Sequence, residues 1–454
     1  MTSTVRRAGA FAAVGTLSLL VPAASRAGDP AVTTVIGTAP FIGIAVLALY
    51  VVEEGTLFEL FARPGDRRDK RLYGLASFAL AVAGLALITV QFDLAAAGFV
   101  AAVTILVYGN LGEQLVRTYS DEPVLATAGF SAAGFAAGVG SQFAAASLTG
   151  SATATGSGFD LPVALFFAAS GALLGSLLRT VLFERDDPLV VVSIALLLWL
   201  FADLAVPVTT TRIVVALGVT VVLGYVSYAL ETASLPGMLT GVLLGLLTIV
   251  LGDYGWFLML ISFFGLGGLS TKFRYEEKEA RGIAEENEGA RGSGNVLANS
   301  LTALLSLLAA AASPTFIPVP PQLFLFAFAG AIAAAMSDTF SSEFGGLFDD
   351  PRLITTLEPV PPGTDGAITW QGEVAGIVGA GIIAGIAGVM FESVAAVGVG
   401  VILVAGVVGM TVDSLLGATV EGRWVGNQSV NFLATLVAAV AAAGLAVATG
   451  LTPL

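Results

Sequence analysis

The chain has 454 residues, of which 56% are hydrophobic and 11% charged, where an ordinary globular domain carries about 25% charged residues. That balance excludes a soluble globular fold. The absence of cysteine and histidine excludes disulfides, thiolate chemistry and imidazole bases or ligands, and a net charge of −14 excludes nucleic acid as the expected partner. Any chemistry falls to carboxylates, lysine, arginine, hydroxyls and amides, an oxygen-rich inventory that suits magnesium rather than zinc.

Apolar stretches of about 18 to 22 residues without two-residue alternation predict helices rather than barrel strands, hence an all-α, polytopic integral membrane protein of about 13 to 15 transmembrane helices. In the first half they start near Ala8, Val32, Leu72, Phe92, Val124, Leu161, Leu189 and Ile213. The first follows Arg6 and Arg7 and ends in Ala23, Ala24 and Ser25, the pattern of a signal peptide; it is read here as a retained helix. In the second half the spans start near Pro236, Tyr254, Val296, Gln322, Glu373, Ser393 and Val430. A Ser-Leu-Pro-Gly turn at Ser234 to Gly237 divides the chain into 1–234 and 235–454.

With the N-terminus in the cytoplasm of a cell-membrane protein, alternate loops fall inside. All but Arg26 and Arg212 of the 19 lysines and arginines then lie on the inner side, as positive-inside topology requires. The same parity puts three long polar loops, Ser270 to Gly294, Ser341 to Gln371 and Asp413 to Ser429, on that face. A candidate site is expected there.

Four stretches of the second half carry possible chemistry. The first holds Lys272, Arg274 and Lys278, then Arg291, Asn295 and Asn299. Its cations read either as a cradle for phosphate oxygens or as a solvated juxtamembrane stretch with Glu277 paired to Arg281. Asn295 and Asn299 share a helix face and favour a buried polar role. In the second, Asp338 ends an apolar helix with Ser341, Ser342 and Glu343 following, either as a helix-end cap or as a carboxylate whose burial calls for a cation. The third, Pro351 to Gly366, is turn-rich; Arg352 and Thr364 lie in it, and Gly363 and Gly366 permit close backbone approach to a ligand. It reads equally as a plain connector. In the fourth, Asp413, Gly417 and Glu421 recur every four residues, so a continuing helix puts two carboxylates on one stripe; Glu421 pairing with Arg423 or Arg352 is the bland alternative.

At these stretches the sequence resembles the transmembrane protein 19 family, which includes the plant chloroplast phytyl-phosphate kinase. The matching pieces are Ser270 to Lys278, Arg291 with Asn295 to Asn299, Ser337 to Glu343, Pro351 to Thr355 with Pro361 to Thr364, and Val412 to Gly417. They lie in order over about half the chain, from Leu235 onward. The family looks related to CTP-dependent membrane kinases and cytidylyltransferases acting on phytol, dolichol and phosphatidate. The first half could be a decayed relative: Asp69 to Gly74 faintly resembles their basic motif, and Asn110 stands where an aspartate is expected.

The resemblance implies a membrane-embedded kinase moving phosphate from a nucleotide, CTP as the expected donor, to an isoprenoid monophosphate in the bilayer. Asp338, Lys272 and Asp413 would be its catalytic residues and Asp338, Glu343 and Asp413 its Mg2+ ligands. Arg274, Lys278, Arg291, Asn295, Asn299, Ser342, Arg352, Gly363 and Thr364 would bind the nucleotide. The alternatives are a secondary transporter using the same aspartates near the bilayer midplane, and a catalytically inactive membrane protein.

Overall fold

The computed structural model describes residues 3–149, 152–153, 156–157, 159–183, 186–284, 292–313 and 315–453. Among them, 15 helical spans are long and apolar enough to cross a bilayer, and strand is confined to two two-stranded ribbons. The chain forms two compact units, Met1–Val214 and Val215–Leu454.

In the first unit, α1 (Ser3–Thr16), a 3-10 turn (Leu17–Leu19) and α2 (Leu20–Ser25) run in series as one span. They are followed by α3 (Pro30–Tyr50), short α4 (Thr56–Phe61) and α5 (Pro64–Asp69), then α6 (Tyr73–Gln91), α7 (Ala96–Val116), α8 (Pro123–Thr149), α9 (Leu161–Val181) and α10 (Asp187–Leu204). The ribbon β1 (Ala152–Thr153) and β2 (Gly156–Ser157) lies between α8 and α9. Proline in the first turn and aspartate caps set the helix starts. Asp29 accepts from Ala31 N at 2.8 Å ahead of Pro30, and Asp160 caps α9 ahead of Pro162. The first span is part of this core, with Thr16 Oγ1 3.0 Å from Tyr108 Oη on α7.

The helix α11 (Thr210–Ala229) begins at the edge of the first unit and runs into the second. There α12 (Leu235–Leu247) continues into a π-helical turn (Thr248–Gly252). Next come α13 (Tyr254–Lys272), short α14 (Tyr275–Ala280), α15 (Ser293–Ala312) and α16 (Pro321–Gly345). The ribbon β3 (Arg352–Leu353) and β4 (Ala367–Ile368) precedes α17 (Trp370–Met390), α18 (Ala395–Thr419) and α19 (Asn427–Ala448). Caps again fix the starts: Ser234 accepts from Gly237 N at 3.2 Å and Thr369 from Gly372 N at 3.1 Å.

Buried along nearly its whole length, α16 is the axis of this unit, touched by α13, α15, α17, α18 and α19. Small residues let the helices approach it. A Cβ at Gly376 of α17 would lie 2.2 Å from Met410 Sδ of α18 and 3.0 Å from Ser337 O of α16. Ser337 Oγ fills the same junction, donating to Gly376 O at 2.8 Å. In lipid, where apolar faces gain little from meeting one another, such close approach and interhelical hydrogen bonds supply the association.

The three loops expected to share a face do gather at one end of the unit. Lys278 reaches Glu343, Arg281 reaches Asp349, Gly363 meets Ile283, Gly366 meets Ala418, and Gly294 meets Gln428. The opposite end holds Asp253, which caps α13, and the Met390–Phe391 turn against Gly255.

Candidate functional site

The centre of this loop-bearing end is a meeting of two carboxyl groups. Asp338 on α16 and Asp413 on α18 face each other closely enough to share a side-chain hydrogen bond. Both lie one to two turns inside their helices: Asp338 is seven residues from the last residue of α16 (345 − 338 = 7) and Asp413 six from that of α18 (419 − 413 = 6). At 1.5 Å per residue these depths are about 10 and 9 Å. Asp413 Oδ1 is buried and accepts no hydrogen bond from any described residue. A buried carboxylate oxygen left in this way costs several kcal/mol unless a proton or cation joins it.

The donor set fits magnesium. Mg2+ favours carboxylate oxygen, keeps several waters, and is commonly held by one or two carboxylates with substrate phosphates completing the shell. The pair supplies the two carboxylates and Asp413 Oδ1 an open donor, with the half-buried hydroxyl of Ser414 alongside on α18. Among the described residues no three acidic groups gather as a metal set.

Glu343, expected as a third ligand, is instead taken by Lys278. The ammonium is 2.5 Å from Glu343 Oε2 and also donates to Ser270 O at 2.7 Å, with both residues buried. This corrects two expectations together: Lys278 is a neutralised internal cation tying α14 to α16 rather than a free phosphate binder, and Glu343 is its counter-ion. The reason lies in helix phase, since Glu343 falls about 140° around α16 from Asp338.

Other candidates are spent on holding the loops. Arg274 takes a left-handed backbone (φ 53°) ahead of α14 and pairs with Glu277, which Arg281 also approaches at 3.7 Å. Arg352 Nη1 donates to Leu357 O at 2.8 Å, closing its own turn, and Thr364 Oγ1 donates to Pro361 O at 2.7 Å. Ser342 is exposed and bonds back to Thr339 O at 3.1 Å. The close approaches at Gly363 and Gly366 are to the chain itself. A Cβ on Gly363 would meet Ile283 at 3.1 Å, and one on Gly366 would lie 2.5 Å from Ser414 O.

Asn295 and Asn299 do share a face: Asn299 Nδ2 donates to Asn295 O at 3.0 Å and Oδ1 at 3.2 Å. Lys272 is half-buried at the end of α13, on the same end of the unit. Arg291 lies outside the described residues. The helix α18 stops at Thr419, so Glu421 is past its end, yet its carboxylate turns back to the expected stripe, with Oε2 3.4 Å from a Cβ at Gly417 and close enough for Asp413 to feel its charge. Rather than pairing with Arg423 or Arg352, Glu421 lies beside Asp365. Burial, then that neighbouring carboxylate, hold its pKa above the usual carboxylate range.

Sequence reasoning passed over the start of α19. Gln428 lies against Gly294, Asn431 is buried, and Thr435 Oγ1 meets Thr302 Oγ1 of α15 at 3.1 Å. The signal was present as polar residues three and four apart on one helix face.

Fold and site together define a polytopic, all-α integral membrane protein whose C-terminal unit holds a carboxyl pair one to two helical turns in from its loop-bearing end, beneath loops carrying basic residues. The chain belongs to the family of integral membrane proteins designated DUF92, whose model matches residues 218–439. It is 35% identical over 203 residues to an uncharacterized membrane protein of Synechocystis, covering 43% of this chain and 77% of the relative. To an uncharacterized membrane protein of Methanocaldococcus jannaschii it is 36% identical over 203 residues, covering 44% and 80%. To the chloroplastic protein VTE6 of Arabidopsis thaliana it is 29% identical over 209 residues, covering 44% and 61%. No solved structure matches the chain.

Proposed function

We propose that the C-terminal unit is a lipid phosphotransferase, moving the terminal phosphoryl group of a nucleotide, CTP as the expected donor, onto a phytyl- or geranylgeranyl-type isoprenoid monophosphate. A phosphate oxygen of the lipid would form the new P–O bond while the bond to the departing nucleoside diphosphate breaks. The observation that carries this reading is the Asp338–Asp413 pair with its orphaned Oδ1. The family resemblance supplies the substrate class.

Phosphoryl transfer is mainly positioning and charge neutralisation, so it needs neither the histidine nor the cysteine this chain lacks. Magnesium, when bound, neutralises charge on the phosphates. Asp338 and Asp413 would hold it. Lys272, at the end of α13, would take further phosphate charge, and Asn295 and Asn299 offer amides on the adjoining helix. We place the loop-bearing end in the cytoplasm, where positive-inside topology puts its cations and where nucleotide is available. The lipid would enter laterally between helices, its phosphate near the membrane face.

Depth favours this over transport. An ion-coupled carrier would hold its acids near the midplane, about 15 Å in, at interrupted helices. Here both acids lie about 10 Å from the helix ends, on helices of 25 residues each that are continuous past them.

The test is transfer from radiolabelled CTP, ATP or GTP to phytyl and geranylgeranyl monophosphate by the purified protein, beside Asp338→Asn. The reading expects a diphosphate product that falls by about two orders of magnitude or more in the variant. Absence of both turnover and nucleotide binding with every donor would overturn it in favour of transport.

A further inference from the structure

The polar face at the start of α19 is in register with the carboxyl pair. In the C-terminal unit α16 and α18 end at the loop-bearing end, whereas α15 and α19 begin there. Close approaches fix how these helices are set against one another. A Cβ at Gly409 of α18 would lie 2.3 Å from Ala334 Cβ of α16, 3.0 Å from Ala438 Cβ and 3.3 Å from Ala434 O of α19. Deeper in the bundle, a Cβ at Gly330 of α16 would lie 2.6 Å from Ala442 Cβ. Thr302 Oγ1 of α15 meets Thr435 Oγ1 of α19 at 3.1 Å. So α19 turns the stripe of Asn431, Ala434, Thr435, Ala438 and Ala442 toward α16 and its neighbours.

One turn from this level toward the loops, the helical repeat leads from Ala334 to Asp338 and from Gly409 to Asp413. It leads likewise from Thr302 to Asn299 and from Thr435 to Asn431. Four helices thus bring two carboxyl groups and two amides to one level.

The amides there are buried and short of partners. Asn431 is 8% exposed, and its side chain makes no hydrogen bond with any described residue. Asn299 is 6% exposed; its Nδ2 donates to Asn295, and its own Oδ1 accepts nothing. Asp413 Oδ1 is in the same condition. A buried amide without a partner is costly, and a leucine would fill its volume at no such cost. The unmet atoms at this level are mainly oxygens, so what they call for is a cation rather than an anion.

We infer that Asn431, with Asn299, supplies amide oxygen to the shell of a divalent cation whose carboxylates are Asp338 and Asp413. Amide and carboxylate oxygens are the donors that hard divalent cations take, and Mg2+ keeps several of its waters, through which an amide one turn of another helix away can act. The inference rests on reading the carboxyl pair as a cation site, and not on the transfer reaction.

The test uses the purified full chain in detergent after chelation. Binding of Mn2+, which takes the same oxygen ligands, is counted by electron paramagnetic resonance, and thermal unfolding is followed with and without Mg2+. Saturable binding is expected in wild type. Asn431→Leu should weaken it about tenfold or more with the metal-free Tm unchanged or raised, because a structural amide would show the reverse. Asn431→Asp adds a third carboxylate, so it should lower the metal-free Tm and enlarge the rise that Mg2+ produces. Thr435→Val, one turn deeper, should leave Mn2+ affinity as it is. Where the leucine variant does not fold, Asn431→Ala removes the same amide and is read in its place. Mn2+ affinity within twofold of wild type in the folded Leu or Ala variant, or Asn431→Asp without a larger Mg2+ response, would overturn the inference. Absence of saturable Mn2+ binding in wild type would overturn it together with the cation reading of the pair. Binding that is lost in Asn431→Leu, in a protein that transfers no phosphate to either lipid, would sustain the inference and overturn the transferase alone.

Discussion

Replacing Lys278 by methionine should be among the most damaging single changes in the C-terminal unit, and the damage should be largely undone by a second substitution. At 2.5 Å, two unit charges attract by about 6 to 7 kcal/mol at an effective dielectric of 20, before the cost of removing them from water. Lys278 and Glu343 are only 1% and 8% exposed, so that cost is substantial and the pair contributes little net stability. Breaking it is another matter. Lys278→Met leaves Glu343 buried without its cation and takes from Ser270 O the shorter of its two hydrogen bonds, the other coming from Phe273 N, which should cost about 3 to 5 kcal/mol. For a unit of this size that corresponds to a fall in Tm of roughly 6 to 20 °C. In Lys278→Met/Glu343→Leu the orphaned charge is gone, and stability should return to within about 1 to 2 kcal/mol of wild type. Thermal unfolding in detergent of the two single variants and the double variant measures the coupling directly. Losses that simply add would refute a coupled buried pair. A stable double variant that binds nucleotide as wild type does would also exclude Lys278 as a phosphate ligand.

Three further outcomes follow from the same geometry. Asp413→Asn removes one of two facing carboxylates, so without divalent ions the variant should be at least as stable as wild type; Mg2+ should raise the Tm of wild type and not of the variant in a calorimetric titration. Gly366→Ala meets both a left-handed backbone (φ 75°) and Ser414 O at 2.5 Å, so it should cost about 2 to 4 kcal/mol and expose the Pro351–Gly366 loop to limited proteolysis. Glu421 has a pKa raised in the folded state, so the folded chain holds its proton more tightly than the unfolded one; stability present below about pH 4.5 is lost as pH rises toward the raised value. Glu421→Gln should therefore raise Tm at neutral pH and flatten its pH dependence in that window.

The fold was legible because its cause is compositional. A bilayer demands about twenty apolar residues per helix, and these runs, with prolines and capping Asp, Ser or Thr at their starts, locate α3, α9, α12 and α17 to within a few residues. Parity of the spans also brought the three polar loops of the second half to one end. What periodicity could not supply was partner choice. Asp338 and Glu343 lie five residues apart and read as one acidic motif, yet helix phase sends the first toward α18 and the second toward Lys278. The stripe of Asp413, Gly417 and Glu421 outlasts the helix that ends at Thr419, because Glu421 turns back toward Gly417, whereas the glycines that promised room for a ligand are closed by Ile283 and α18.

The same distinction explains why an arginine cluster of the first unit escaped a reading of its sequence. Arg63 and Arg179 each looked like an ordinary topology marker at the end of an apolar run, and Asn110 looked like a lost charge. Only the packing of α1, α7 and α9 brings them to one wall, from positions as far apart as Arg7 and Arg179. In a membrane protein the cations that satisfy the positive-inside rule are already concentrated at helix ends on one face, so bundling the helices tends to cluster them. A few carboxylates such as Asp187, between Arg63 and Arg179, and Glu113, beside Arg179 and Arg117, then tie such a cluster together, and the amide of Asn110 accepts from the same Arg179. That arrangement is a property of the assembled bundle.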